Sequence, residues 1–284
     1  MRSFVLPCLA AAFAVSISGL AGAAAAPATP EPVILTPHKA SYDLTLGVSR
    51  SSGKGIASAD GRIAFEFTGD ACKGYKTNFR QVTEIDDGEG SQRLSDLRTT
   101  TWEEGQGKDF RFNIVGYTNG AVTQRSEGKA ARGNGDVAIK LARPSPIRLD
   151  LDENFSFPSQ HMRHLIQAAR AGKHMLDIRF YDGSEGGQKV FDTFAVIGAE
   201  IPAGSDDKLA GPAREAGLAA IRRWPVRLSY FEPGDGDRLP LYTLSFMMFE
   251  NGISGDMMLD FGGFTLKGTM RSLALLKSAT PCKR

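Results

Sequence analysis

The chain has 284 residues, in which 34 lysines and arginines stand against 32 aspartates and glutamates. The resulting formal charge of +2 is too close to zero for a chain whose main partner is nucleic acid. The length is sufficient to bury a hydrophobic core, either in one large β domain or in two smaller domains.

The amino terminus has the pattern of a secretory signal peptide. Arg2 is followed by an apolar run from Phe4 to about Ala21, and alanines at 23–26 supply the small residues that signal peptidase requires. An uncleaved membrane anchor is the alternative, but the run is short for a bilayer-spanning helix and a cleavage region follows it directly. We therefore predict a signal peptide over residues 1–26, a flexible segment over 27–37 and export to the periplasm.

The mature chain is predicted to have no transmembrane segment, because no later stretch contains about twenty consecutive apolar residues. Cleavage removes Cys8 and leaves Cys72 and Cys282 as the only thiols. Paired thiols tend to oxidise in such a compartment, so we predict one disulfide, between Cys72 and Cys282. A redox-active pair is the alternative, but neither cysteine lies in a Cys-x-x-Cys motif. Chain entropy gives roughly 5 kcal/mol for closing so long a loop.

Most of the mature chain shows the spacing of β-strands. Ile63, Phe65 and Phe67, for example, alternate with polar or small residues, and turn signals recur about every ten residues. Short turns between neighbouring strands predict an antiparallel meander. The predicted strands are residues 40–48, 61–68, 75–86, 91–103, 108–117, 121–130, 135–141, 175–181, 188–197, 224–231, 241–250, 255–261 and 264–276.

One segment, between Asn154 and Lys173, has the spacing of an amphipathic helix. Pro158 suits a first helical turn, and Gly172 supplies a stop signal. This is the only helix that we predict in the mature chain, and a polar loop is expected up to about Gly217. The apolar face of the helix consists of Met162, Leu165, Ile166 and Ala169.

Two interpretations of this apolar face remain open. The helix either packs as an ordinary core helix, or it lines a groove that holds a lipid, a glycan or a peptide against the sheet. A domain boundary near Pro144 is an alternative to one continuous domain, but the predicted disulfide would tie the two halves together. We therefore predict a single domain over residues 38–284.

The sequence contains few of the residues that chemistry requires. His161 and His164 stand three apart on the helix and could face one zinc ion, but no carboxylate motif accompanies them. No Gly-x-Ser-x-Gly elbow occurs, and the glycine-rich pieces lie between strands rather than before a helix. Acidic clusters such as Asp86, Asp87 and Glu89 are typical of solvated turns. We predict no enzymatic activity, no metal and no cofactor.

Several features together resemble the EipB family, periplasmic cell-envelope integrity proteins of alphaproteobacteria. They are the signal peptide, the first-strand segment LTPHKASYDL at 35–44, the helix entry FPSQH at 157–161, and the cysteines Cys72 and Cys282. The resemblance runs from about His38 to Cys282, which is nearly all of the mature chain.

The resemblance implies a spiral of many antiparallel β-strands, or open barrel, that curls around one amphipathic helix and is closed by a disulfide matching Cys72 and Cys282. It also implies a non-enzymatic role in envelope integrity under stress, with links to periplasmic repeat proteins and cell-wall maintenance. The implied partners are periplasmic proteins or cell-wall and lipid components. The alternative is a carrier that holds a lipid or another apolar envelope component between sheet and helix.

Overall fold

A computed structural model of the chain describes residues 31–50, 55–133, 135–205 and 209–277. The predicted signal peptide and Cys282 lie outside the described residues, so the signal peptide and the Cys72–Cys282 disulfide stay predictions. None of the helices in the described residues is long and apolar enough to cross a membrane.

The described residues form fourteen strands, two α-helices and two short 3-10 helices. The 3-10 helices span Glu185–Gly187 and Leu218–Ala220. The remaining elements are β1 (His38–Ser49), β2 (Ser58–Asp70), β3 (Gly74–Asp86), β4 (Gln92–Glu103), β5 (Asp109–Thr118), β6 (Ala121–Arg132), β7 (Asp136–Arg143), β8 (Ile147–Asp152), α1 (Pro158–Arg170), β9 (Met175–Phe180), β10 (Phe191–Ile197), α2 (Gly211–Glu215), β11 (Arg223–Phe231), β12 (Tyr242–Phe249), β13 (Ser254–Asp260) and β14 (Phe264–Leu275).

All fourteen strands belong to one antiparallel sheet, in the order β8-β7-β6-β5-β4-β3-β2-β1-β14-β13-β12-β11-β10-β9. The chain starts in the middle of the sheet at β1, runs out to β8, passes through α1 to β9 at the opposite edge, and returns to β14 beside β1. Strands β8 and β9 therefore follow each other in the chain but remain the two edges of a sheet that is not closed. The prediction of a mainly β, antiparallel meander is confirmed.

Alternation of apolar and polar residues fixes which face of each strand is buried. In β5, Phe110, Phe112 and Ile114 are buried, whereas Arg111 and Asn113 between them are exposed. A shift of one residue would turn the whole apolar set towards solvent, so this pattern also sets the strand register.

The buried side chains form three hydrophobic clusters on the inner face of the sheet. The first contains Leu165 and Ile166 of α1 with side chains such as Trp224 from the second half of the sheet. The second lies around β1, β2 and β14, and the third around β5 to β7 and the start of α1. Helix α1 thus holds together strands from both halves of the chain.

The segment between β10 and β11 differs from the predicted polar loop. It contains α2, and Leu209, Ala213 and Leu218 are buried in the second cluster. The prediction of a single helix was therefore wrong. A helix of five residues is too short to show a helical period in the sequence.

Strand β8 was not predicted from the sequence. Helix α1 begins at Pro158, the residue that the sequence analysis assigned to its first turn, and residues 154–157 precede it in non-helical conformation. Within the segment predicted to be flexible, Val33 and Leu35 are buried, and the Thr36 N–H donates to the Asn251 carbonyl oxygen at 2.9 Å. The described residues from Val33 onward belong to one compact unit.

Candidate functional site

The connection between β8 and α1, residues 153–157, lies along the edge strand β9, and we call it the seam segment. The Ser156 N–H donates to the Arg179 carbonyl oxygen at 2.8 Å, and the Tyr181 N–H donates to the Ser156 carbonyl oxygen at 3.0 Å. These bonds make an isolated parallel bridge between Ser156 and Phe180. The seam segment therefore joins the two edges of the sheet at one point without closing the sheet.

Arg132, at the end of β6, holds the seam segment in place. Its guanidinium donates to the carbonyl oxygens of Glu153 at 2.7 Å and Phe155 at 2.5 Å, while Nε donates to the carbonyl oxygen of Gly107 at 3.0 Å. The guanidinium also lies over the rings of Phe155 and Phe157, with its central carbon 5.2 and 4.8 Å from the two ring centroids. Charge-assisted hydrogen bonds and cation–π contacts thus act on the same side chain.

The start of α1 is held by a carboxylate from the sheet. Glu103, at the end of β4, is 2% exposed and accepts hydrogen bonds from the Ser159 N–H at 2.6 Å and the Gln160 N–H at 2.9 Å. These are two of the N–H groups that a helix leaves without an internal partner in its first turn. Burial raises the pKa of Glu103 to about 7, although these bonds and the charge of Arg163 act in the opposite direction.

The seam segment, α1 and the strands β9 and β10 surround a cleft of about 630 Å³, which we call the seam cleft. Gln160 and His164 of α1 line one wall, and Asp177, Arg179 and Asp192 line the opposite one. The walls are mostly polar, so the cleft is suited to a ligand with several hydrogen-bonding groups.

The guanidinium groups of the seam cleft are balanced by carboxylates. Arg179 donates to both oxygens of Asp152, at 2.8 and 2.9 Å, and Arg238 donates to Asp192 at 2.8 Å. The hydrogen bonds from Arg179 hold the pKa of the Asp152 carboxyl below its usual range. The cleft therefore presents fixed donors and acceptors without a large excess of either charge.

The two helix histidines have separate partners. His161 is buried with Nε2 3.0 Å from Thr193 Oγ1, and His164 Nδ1 lies 3.0 Å from Ser156 Oγ. Burial lowers the pKa of His161 to about 3, so its imidazole is neutral. No group of three or more potential metal ligands occurs in the described residues.

The Ser156–His164 pair does not have the arrangement of an activated nucleophile. Ser156 is 3% exposed, so a substrate has little access to its hydroxyl. Such a pair also needs a third group that orients the imidazole, and no described carboxylate hydrogen-bonds to His164. The contact is better suited to positioning the seam segment against α1.

The helix residues that were predicted to line a groove do not line the seam cleft. Leu165, Ile166 and Ala169 are buried in the first cluster, and Met162 packs against it. The helix residues that line the seam cleft are Gln160 and His164, on another part of the helix surface.

Sequence reasoning missed Glu103 and Arg132. The strand spacing could have identified Glu103. It lies two residues after the buried Thr101 on β4, so both side chains point to the same, inner face of the sheet. No sequence pattern could have identified Arg132, because its hydrogen-bond acceptors are backbone carbonyl oxygens that come together only in the folded chain.

Comparison with known proteins places this architecture in a family. Residues 29–277 match the family model described as EipB-like. The Cell envelope integrity protein EipB of Brucella abortus (strain 2308) is 36% identical over 273 residues, which cover 94% of each chain. The crystal structure of a beta-barrel-like protein of a domain of unknown function, also from Brucella abortus, has a TM-score of 0.77 and 35% identity, and the match covers 86% of this chain and 100% of that one. This chain therefore belongs to the EipB-like family.

Proposed function

We propose that this chain is a non-enzymatic periplasmic factor required for cell-envelope integrity, which acts by binding envelope or periplasmic partners. The observation that carries the proposal is the 36% identity, over 94% of both chains, to a protein named for cell envelope integrity. The amino-terminal pattern of a signal peptide supports the periplasmic location. The partners that we propose are periplasmic proteins, including repeat proteins, or cell-wall and lipid components.

The seam cleft supports a binding role. Its arginines are held by carboxylates and by backbone carbonyl oxygens before any ligand arrives, so little side-chain entropy is lost on binding. We propose that partner binding uses this cleft.

The predicted disulfide is part of the proposal as a stabilising element. Cys72 is exposed in the turn between β2 and β3, where its N–H and that of Lys73 each donate to Asp70 Oδ1 at 2.8 Å. A bond from this turn to Cys282 would tie the carboxyl terminus to the first half of the sheet.

The alternative function, a carrier for an apolar envelope component, is supported by a different groove. This groove has a volume of about 540 Å³ and lies beside α2 and strands β11 to β13, with Met247, Met257 and Met258 among its lining residues. Methionine side chains adapt to irregular apolar ligands. Native mass spectrometry of the purified mature protein tests the carrier, because a carrier should retain a ligand and repeated ligand-free spectra would contradict it.

The leading proposal is tested by deleting the gene in its own host and measuring growth on detergent and on cell-wall antibiotics. We expect deletion to sensitise the cells and the wild-type gene to restore growth. The double variant His164→Ala, Asp177→Ala changes two exposed cleft residues and should restore growth only partly at equal protein level. The matched control is Gln167→Ala, Lys173→Ala, which changes exposed residues outside the cleft lining and should restore growth fully.

The two parts of the proposal fail separately in this experiment. Normal growth of the deletion strain on both stresses would contradict the envelope role. Full rescue by the cleft variant would retain the envelope role and exclude the seam cleft as the binding site.

A further inference from the structure

The outer face of β3 to β8 carries a row of basic side chains, one on almost every strand. Each member of the row lies directly opposite the next in the strand register. Because neighbouring strands are about 4.8 Å apart, the row extends over roughly 24 Å. The members of this basic row are Lys76, Trp102, Arg111, Lys129, Lys140 and Arg148.

The alternation of the strands places the basic row on the outside. Val137 and Ile139 are buried on the inner face of β7, and Lys140 follows them on the outer face. All five cations of the row are exposed. They are therefore accessible to a partner in solution.

Most cations of the basic row form no direct ion pair with the described residues, although Glu66 is close enough to Lys76 for the charge of the lysine to help lower the pKa of that carboxyl. Within the part of the chain that the structure describes, no carboxylate forms an ion pair with Lys76, Arg111, Lys129 or Lys140, whereas Arg148 pairs with Asp150 at 3.1 Å.

The Trp102 ring is held by packing and in turn positions a cation of the basic row. The central carbon of the Arg111 guanidinium lies 4.9 Å from the Trp102 ring centroid, and a Cβ at Gly74 would come within 2.9 Å of the same ring. The ring is thus packed between Gly74 and Arg111. It holds the guanidinium in the row by a cation–π contact.

Like charges directly opposite each other destabilise an antiparallel pair. Lys129 faces Arg111 on one side and Lys140 on the other. Elsewhere on this sheet, charges are arranged to attract each other, since Asp43 pairs with both Arg62 and Arg271. The basic row therefore serves no evident stabilising purpose, and its arrangement favours an anionic ligand.

Two shallow grooves follow the basic row, with volumes of about 500 and 360 Å³. Arg111, Lys129 and Lys140 line both grooves. Thr100 and Asn113 add neutral hydrogen-bonding groups to the first groove.

Most of the exposed side chains that line the two grooves are charged or polar. Small residues at Ala131 and Ala138 leave room in the second groove, and the carboxylates within the two grooves are Glu127 and Asp109.

We propose that the basic row binds an anionic glycan, a saccharide chain that carries carboxylate or phosphate groups, laid across strands β4 to β8. The lysines and Arg111 would contact the acidic groups, while Thr100 and Asn113 would contact hydroxyl groups. This inference rests on the proposed role in binding envelope components and assigns it a second surface, separate from the seam cleft.

The geometry favours a glycan over a protein or a bilayer. Phe110, Phe112 and Leu141 are buried beneath the grooves, and Trp102 is half-buried, so the lining residues present no exposed cluster of the large apolar anchors that protein interfaces use at their centres. The outer face of a coiled sheet is convex across its strands, so a flexible chain can follow the row, whereas a flat bilayer can touch only part of it.

The test measures binding of hexagalacturonate, which carries one carboxylate per ring, to the purified mature protein by isothermal titration calorimetry at low salt. The neutral control ligand is maltohexaose. The triple variant Arg111→Gln, Lys129→Gln, Lys140→Gln should bind at least tenfold more weakly, and the steepness of the salt dependence should fall by about two to three charges.

A matched triple variant separates the row from net charge. Arg227→Gln, Lys173→Gln, Lys267→Gln removes the same charge from exposed positions outside the row and should bind within twofold of the wild type. Equal losses in both triple variants, or equal binding of maltohexaose, would overturn the proposal. So would failure of hexagalacturonate to bind while phosphatidylglycerol vesicles bind to the wild type and not to the row variant.

The binding test and the growth test can fail separately. Binding in vitro with normal growth of the deletion strain would contradict the envelope role and leave the glycan site standing. Sensitivity of the deletion strain without any hexagalacturonate binding would support the envelope role and contradict the glycan site. The melting temperature of the row variant, which should not fall below that of the wild type, shows that loss of binding is not loss of folding.

Discussion

The seam cleft and the basic row both contain arginines on the same sheet, but their charges are balanced differently. In the cleft, Arg132 donates to backbone oxygens of the seam segment and Arg179 is held by Asp152. In the row, Lys129 and Lys140 face each other without a carboxylate partner in the described residues. A cation with its acceptors in place contributes to the fold, whereas a cation without them is available to a ligand.

This difference predicts opposite effects of removing a charge in the two regions. Loss of a cleft arginine removes charge-assisted hydrogen bonds and, at Arg132, leaves the part-buried carbonyl oxygen of Phe155 without its donor, which is unfavourable. Loss of a row lysine removes repulsion and exposes nothing. Stability measurements on matched variants therefore test the comparison directly.

The largest effect is expected for Arg132→Met, which keeps much of the aliphatic stem and removes the guanidinium. The carbonyl oxygens of Glu153 and Phe155 would lose their donors, and both cation–π contacts would disappear. We expect the free energy of unfolding to fall by about 3 kcal/mol, measured by urea denaturation.

Arg148→Met is the matched control for this variant. Arg148 is exposed and its one ion-pair partner among the described residues is Asp150, so its loss should change the free energy of unfolding by less than about 0.5 kcal/mol. A fall below about 1 kcal/mol for Arg132→Met would mean that the seam segment is held mainly by its packing.

The strands could be predicted from the sequence because most of them bury one face. Phe110, Phe112 and Ile114 repeat at a spacing of two and leave no doubt about β5. Strand β8 lacks this contrast, since Ile147 is exposed and Leu149 and Leu151 are only half-buried. A strand at the edge of the sheet buries little of either face, so alternation of apolar and polar residues does not reveal it.

The two surfaces could not be predicted for a different reason. The facing of Lys129 and Lys140 depends on the register between β6 and β7, which a bulge between Glu127 and Gly128 shifts by one residue. The seam cleft depends on contacts between Arg132 and a segment 21 residues later. Residue patterns report local structure, and these sites depend on which strands become neighbours.

The next effect concerns Glu103, the buried carboxylate that holds the start of α1. Its pKa of about 7 in the folded protein exceeds the ordinary value of 4.5, so the folded state binds the proton more tightly than the unfolded state does. Its contribution to stability is complete below about pH 4.5 and is lost as the pH rises through 7. Between pH 5 and pH 8 the wild type should lose roughly 2 kcal/mol relative to Glu103→Gln.

The measurement is the free energy of unfolding of both proteins across this pH range. Glu84→Gln, at an exposed position of β3, is the control and should keep the pH dependence of the wild type. Parallel curves for the wild type and Glu103→Gln would contradict the prediction, because they would show that the Glu103 carboxylate stays ionised at the start of α1 throughout this pH range.

The smallest effect, and the one that bears most directly on the basic row, is that of Lys129→Gln. Lys129 faces Arg111 and Lys140, so neutralising it should raise the free energy of unfolding by a few tenths of a kcal/mol. The gain should shrink in high salt, because screening already weakens the repulsion. Lys39→Gln is the control, since the Lys39 ammonium pairs with Glu66 at 2.8 Å and its loss should lower stability slightly or not at all. If Lys129→Gln instead destabilised the protein by more than about 0.5 kcal/mol, the lysine would have a structural role, and the argument from repulsion to a ligand would fail.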